Sequence, residues 1–137
     1  MHAESAPETD PELLSILNEL APQEPIFHRA EFASSLPDFD RMMVADYWEF
    51  GASGRRYDRE FILQKLEQIP PIDAAEAGWR TSDFHCRRLS ADTYLLTYTL
   101  DQGDRKTRRG TIWLNTPAGW QIVFHQGTVI VALPPLR

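Results

Sequence analysis

The side chains most readily poised for acid–base work near neutral pH are the histidines His28, His85 and His125. They lie far apart and show no HxH, HxxxH or histidine–carboxylate spacing, so the sequence announces no metal site, although the three could converge in the fold. Cys86 is the one cysteine. It stands between His85 and Arg87, where a cation can lower a thiol pKa, but no nucleophile motif surrounds it and it reads as a small buried hydrophobe. A lone cysteine also rules out an intramolecular disulfide. Arg105, Lys106, Arg108 and Arg109 form the one basic run in a chain of formal net charge −6. In a strand these residues point to alternate faces and make no continuous stripe, so they read as a solvated hairpin, with a local anion site as the alternative. The negative net charge repels nucleic acid and anionic membranes, and neither is expected as a partner. No glycine-rich phosphate loop, Walker motif, GxSxG elbow or CxxC pair occurs. Nucleotide hydrolysis, nicotinamide redox chemistry and α/β-hydrolase action are disfavoured, and no cofactor is expected.

The elements that must position these residues follow from period and punctuation. With 137 residues, 42% hydrophobic and 25% charged, the chain suits one globular domain over 10–137, after a frayed polar stretch over 1–9. The N-terminus has neither a basic n-region nor an apolar h-region, and apolar runs are too short to span a bilayer, so a cytoplasmic protein is expected. Asp10 caps a first helix carrying Leu13, Ile16, Leu17 and Leu20 at helical spacing, and Pro22 stops it. Pro25 can begin a second helical segment with Ile26, Phe27 and His28. Ser34 or Ser35 caps a short helix through Phe39, Met42 and Met43. Tyr47 to Phe50 reads as a strand, followed by a turn and a short return at Arg55 to Tyr57. Asp58 then caps a helix that Pro70 and Pro71 end. After Gly78 the period changes to two. Four strand-like runs, 79–89, 93–100, 107–115 and 120–131, are joined by short turns, which predicts an antiparallel meander and excludes a parallel sheet with helical crossovers. The result is an α+β fold with N-terminal helices packed on a curved antiparallel sheet. Apolar residues at both parities of Tyr94 to Tyr98 imply that the second sheet face is covered as well, most simply by a second copy.

The words Glu24-Pro25-Ile26-Phe27-His28-Arg29, Ala45 to Arg55, Tyr57-Asp58-Arg59-Glu60 and Gly119 to Thr128, in this order and spacing, resemble the nuclear transport factor 2-like superfamily. Within it they are most similar to the SnoaL-like and domain of unknown function 4440 branch. The resemblance implies a cone-shaped α+β barrel with a pocket at its open end and a homodimer through the outer sheet face. Some members are isomerases, dehydratases, cyclases or epoxide hydrolases, and others only bind or assemble, so the fold does not supply the function.

A cofactor-free isomerase on this fold needs a proton-shuttling carboxylate and oxyanion donors, the arrangement of ketosteroid isomerase. By the resemblance the base falls at Phe50, the tyrosine donor near Ile26 or Phe27, and the protonated acid near Thr111, none of which has the needed chemistry. A one-residue slip brings Glu49 to the base position but also turns the strand face. The catalytic candidates are His28, placed by the fold across the pocket, and Glu49. Phe27, Trp48, Phe50, Tyr57, Trp113 and Phe124 are the aromatic candidates for lining a ligand pocket, which would suit a small apolar or aromatic ligand. With Ile122 and Phe124 facing the interior, strict alternation sends Gln126 inward as a polar anchor and His125 to the dimer side. The leading expectation is a dimeric small-molecule-binding domain. A cofactor-free lyase or isomerase using His28 or Glu49, and a non-catalytic oligomerisation module, are the alternatives.

Overall fold

The computed structural model describes residues 4–132. A helical stretch opens the fold: a 3-10 turn at Pro11–Leu13, helix α1 (Leu14–Leu20) and a second 3-10 turn at Ala21–Gln23. Asp10 caps it as expected, its carboxylate accepting the Glu12 N–H at 3.0 Å. Helix α2 (Leu36–Met42) starts on a reciprocal cap between Ser35 and Asp38, and α3 (Arg59–Gln68) starts on Asp58, which accepts the Phe61 N–H at 2.8 Å. The six strands are β1 (Met43–Phe50), β2 (Arg56–Asp58), β3 (Arg80–Ser90), β4 (Thr93–Asp101), β5 (Lys106–Thr116) and β6 (Gly119–Val129). They form one sheet in the order β2-β1-β6-β5-β4-β3.

The four long strands are the expected antiparallel meander. The pairing of β1 with β6 is parallel, so the sheet is mixed, but no single helical crossover joins the two, because among the described residues they are the first and last strands and the whole meander lies between them. The helices cover one face. Leu20, Phe39, Met43, Tyr47, Leu96, Trp113 and Ile122 are buried there at 2% exposure or less, which ties α1, α2 and the sheet into a single core. Cys86 is buried in the same core, as its sequence reading required.

Two expectations fail. Residues 25–34 form no helix. The Glu24–Pro25 peptide is cis, Phe27 has φ 69°, and the segment is a loop. Its backbone is held from outside: the Asp73 carboxylate accepts the Ala30 N–H at 3.0 Å, and the His28 carbonyl accepts the Ala74 N–H at 2.8 Å. Ile26 and Phe27 are adjacent rather than three or four residues apart, so they cannot make a helical stripe; both are buried.

The second failure concerns β6. Ile112 of β5 pairs with Phe124, while the next residue, Trp113, pairs with Ile122, which leaves Val123 as the extra residue of a β-bulge. A bulge shifts alternation by one position. Ile122 faces the core, but beyond Val123 the inward residues are His125 and Gly127, and the outward ones are Phe124 and Gln126. Residues 1–3, part of the stretch expected to fray, lie outside the described residues. Residues 4–9 carry no regular structure, yet Thr9 accepts the Cys86 N–H at 3.1 Å and Glu4 pairs with Arg108 at 2.6 Å.

Candidate functional site

Alternation within β4, β5 and β6, after the bulge, brings polar side chains to the face that the helices and the 24–34 loop cover. Glu24 is deepest, at 0% exposure. A buried carboxylate is tolerated where donors surround it. Here the Tyr98 hydroxyl donates to Oε1 at 2.8 Å, the Ile26 N–H donates to the same oxygen at 3.2 Å, and the Trp113 indole N–H donates to Oε2 at 3.1 Å. Burial pushes the Glu24 pKa up, against these hydrogen bonds and the nearby Thr111 hydroxyl, which favour the ionised form. Three donors directed at one acceptor-only group make Glu24 a structural centre that ties the loop to β4 and β5.

His125 is 2% exposed, and its Nδ1 lies 2.7 Å from the Thr111 hydroxyl. Its Nε2 lies 3.5 Å from Arg109 Nη1. A guanidinium can only donate, so Nε2 is the unprotonated nitrogen and Nδ1–H donates to Thr111, whose own proton is left for Glu24. Burial, reinforced by the positive fields of Arg109 and His28, drops the His125 pKa to about 3. His125 is therefore neutral at physiological pH and holds two neighbours in place rather than exchanging protons.

Nearer to solvent stands Glu49. It is the register partner of His125 across the parallel β1–β6 pair and remains partly exposed. The Tyr47 hydroxyl donates to its Oε1 at 3.0 Å. Burial raises its pKa, and the Tyr47 bond and the fields of Arg109 and Lys65 oppose that rise. His28, also partly exposed, donates from Nδ1 to the Ile72 carbonyl at 2.8 Å and packs edge-on to Trp79 at 5.1 Å. That bond leaves Nε2 as its basic nitrogen, and burial lowers its pKa. Two bases, Glu49 and His28, thus share one environment with two cations, Arg109 and Lys65. Among the described residues no group of three or more histidine, cysteine, aspartate or glutamate side chains is placed to hold a metal ion.

The residues singled out in the sequence divide between the two faces. Glu49 faces inward and Phe50 outward, because Tyr47 and Glu49 share the parity of buried Met43. Trp48, Phe50 and Phe124 pack on one another on the outer face, with Phe124 4.9 Å from Trp48 and 5.5 Å from Phe50. The interior placement expected for Phe124 and Gln126, and the outward placement of His125, are reversed by the Val123 bulge. The expected interior lining by Trp48 and Phe50 likewise fails on β1 parity. Phe27 and Trp113 are buried core residues. Tyr57 is half-buried at the sheet edge and stacks on Phe61 at 4.9 Å. The aromatic candidates are therefore not gathered around one hollow. A cavity of about 780 Å³ lies on the outer face instead, between Glu4 to Pro7 and the strands carrying Thr97, Thr99, Arg108 and Thr128. Sequence reasoning missed Glu24 and Thr111 as partners. A glutamate set immediately before Pro-Ile-Phe was the available signal for the first.

No protein-family model matches the chain, and no curated protein matches it in sequence. Solved structures do match it in shape. A protein of unknown function from the domain of unknown function 3225 family of Pectobacterium atrosepticum is 16% identical, with TM-score 0.65 over 89% of this chain and 94% of that one. A nuclear transport factor 2-like protein from Cytophaga hutchinsonii is 13% identical, with TM-score 0.61 over 85% and 96%. A protein described as a candidate dehydratase of the nuclear transport factor 2-like family, from Streptomyces avermitilis, is 14% identical, with TM-score 0.64 over 86% and 98%. Identities this low carry over the architecture and no residue roles. The helices packed on a six-stranded curved sheet, matched over nearly the full length of each of these proteins, give this chain the nuclear transport factor 2-like fold.

Proposed function

We propose that the open end of the sheet is a small-molecule site at which Glu49 transfers protons, as in a cofactor-free isomerase or lyase. One observation carries the reading: Glu49 is an inward-facing carboxylate that solvent still reaches, with one hydrogen bond from Tyr47, whereas the deeper Glu24 has its acceptors taken. A carboxylate made more basic by burial removes a proton from carbon beside a carbonyl more readily than a surface carboxylate does. The proton then returns at another carbon in an isomerase, or accompanies departure of a β-substituent in a lyase. The fold is shared with a candidate dehydratase, which supports this class, and the local words of Ala45 to Arg55 support the SnoaL-like and domain of unknown function 4440 branch.

The test needs no known substrate. A panel of small carbonyl compounds is incubated with the protein in deuterated water, and exchange of hydrogens beside the carbonyl is followed by NMR. Glu49→Gln should lower the protein-dependent exchange by about 100-fold or more. Equal exchange by both proteins would remove Glu49 from the chemistry.

We also infer that the outer face pairs two copies of the chain. The support is the Trp48–Phe124–Phe50 cluster, in which Trp48 is 40% exposed. Sedimentation equilibrium should show a dimer that Trp48→Glu converts to a monomer. A wild-type monomer at about 100 μM, where a dimer with a Kd near 1 μM would be almost fully formed, would contradict it.

A further inference from the structure

Arg109 and Arg108 are neighbours on β5 with opposite fates. Arg108 faces outward and is paired with Glu4 and Asp83. Arg109 faces inward, is partly buried, and takes part in none of the ion pairs among the described residues. Glu24 and Glu49 act on it through their fields without contact. Its bonds go to neutral acceptors: Nε donates to the Thr107 hydroxyl at 2.9 Å, and Nη1 faces His125 Nε2 at 3.5 Å. A guanidinium has five N–H donors, so three are left without an acceptor among the described residues. Nη2, which carries two of them, is not sealed away, because Arg59 Nε is the one buried side-chain donor or acceptor left unpartnered among the described residues.

The plane of the group is also fixed. Gly127, the register partner of Arg109, faces the same side, and a Cβ there would lie 3.6 Å from Arg109 Cζ and 3.7 Å from Nη1. The guanidinium therefore rests on bare backbone, held by Thr107, His125 and Gly127, with both N–H groups of Nη2 left open. A planar fork that is positioned, charged and unneutralised is the recognition geometry for a carboxylate.

We propose that Arg109 anchors the carboxylate of a small monoanionic ligand, which accepts two parallel hydrogen bonds from its open N–H groups. Arg109 and Lys65 are the cations acting on Glu49, while Glu49 and the deeper Glu24 already place two carboxylates in the field of Arg109, so a ligand with a single negative charge is favoured over a dianion. A dianion such as phosphate would meet the Glu49 carboxylate with charge to spare. The proposal rests on the reading of the open end as a ligand site and replaces the apolar ligand expected from the sequence. It does not require that Glu49 transfer protons.

The test is calorimetric titration of the full chain with acetate, propionate and benzoate, with the matched amides, and with inorganic phosphate. At least one carboxylate should bind at least 10-fold more tightly than its amide and than phosphate. Arg109→Lys, which keeps the charge but not the fork, should weaken it at least 10-fold. The comparison of carboxylate with amide uses wild-type protein, so it stands even if the Arg109 variant fails to fold. Equal binding of amide and carboxylate, tighter binding of phosphate, no binding of any carboxylate, or undiminished binding by a folded Arg109→Lys variant would each overturn the proposal. Carboxylate binding without any Glu49-dependent hydrogen exchange would sink the proton-transfer reading and leave the anchor standing.

Discussion

Replacing Glu24 with alanine should cost on the order of 5 kcal/mol of folding stability, enough to bring a domain of this size to the edge of unfolding. The figure comes from what is left behind. The Tyr98 hydroxyl, the Trp113 indole N–H and the Ile26 N–H all lose their acceptor in a site closed to water. Each orphaned buried donor costs about 1–3 kcal/mol, and the vacated volume adds a cavity penalty. Glu24→Gln should be milder, about 2–3 kcal/mol, because one amide oxygen still accepts while the amide N–H groups face donors. Urea unfolding followed by tryptophan fluorescence measures both. An alanine variant within 1 kcal/mol of wild type would show that the three donors have other acceptors and that Glu24 does not fix the loop to the sheet.

The second large effect is a pH dependence from His125. Its pKa falls from 6.5 in the unfolded chain to about 3 in the fold. Below pH 6.5 the unfolded state therefore binds a proton that the folded state refuses, and stability is lost as the pH falls toward 3. The slope from this one group approaches about 1.4 kcal/mol per pH unit, or roughly 2 kcal/mol between pH 6 and 4.5. Glu24 and Glu49 act in the opposite sense above pH 4.5, since burial raises their pKa values and acidification relieves the penalty on their ionised forms. The test is therefore the difference between wild type and His125→Asn rather than the wild-type curve alone. The variant should lack this one-proton component, so the gap in stability between the two proteins should narrow on acidification. Parallel curves would place His125 in water, and a widening gap would place it in contact with an acid.

How far the sequence reached depended on whether the signal was local. Helix caps at Asp10, Ser35 and Asp58, the switch to period two after Gly78 and the turns between strands are local chemistry, and each appears where expected. The Val123 bulge is not local. Ile122, Val123 and Phe124 are all apolar, so nothing in their types marks which is the extra residue; the register is set by β5 and β1 on either side. That one insertion reversed the faces of His125 and Gln126 and moved the polar centre of the molecule. The parity of β1 failed for a related reason, since Tyr47, Trp48 and Phe50 are aromatic at both parities and do not mark which face is inward. The basic run alternated as read, and alternation is what sends Arg109 inward, but that its inner neighbours would be neutral could not be seen before β6 was placed.

The loop over 25–34 shows a similar limit. Its conformation is held by Asp73 and Ala74, more than forty residues away, so short-range patterns could not distinguish it from a helix. Glu24 belongs to the same long-range class, its donors coming from positions 98 and 113. The site was thus visible in its parts, Glu49 and His28 among them, and invisible in its assembly.

The most direct check is to titrate the Glu49 side-chain carboxyl by carbon-13 NMR in the unliganded protein. A carboxyl held inside the open end by burial should titrate above the ordinary value of 4.5. A midpoint at or below 4.5 would mean a solvated surface glutamate, and Glu49 would then not be the acid–base group of an interior site.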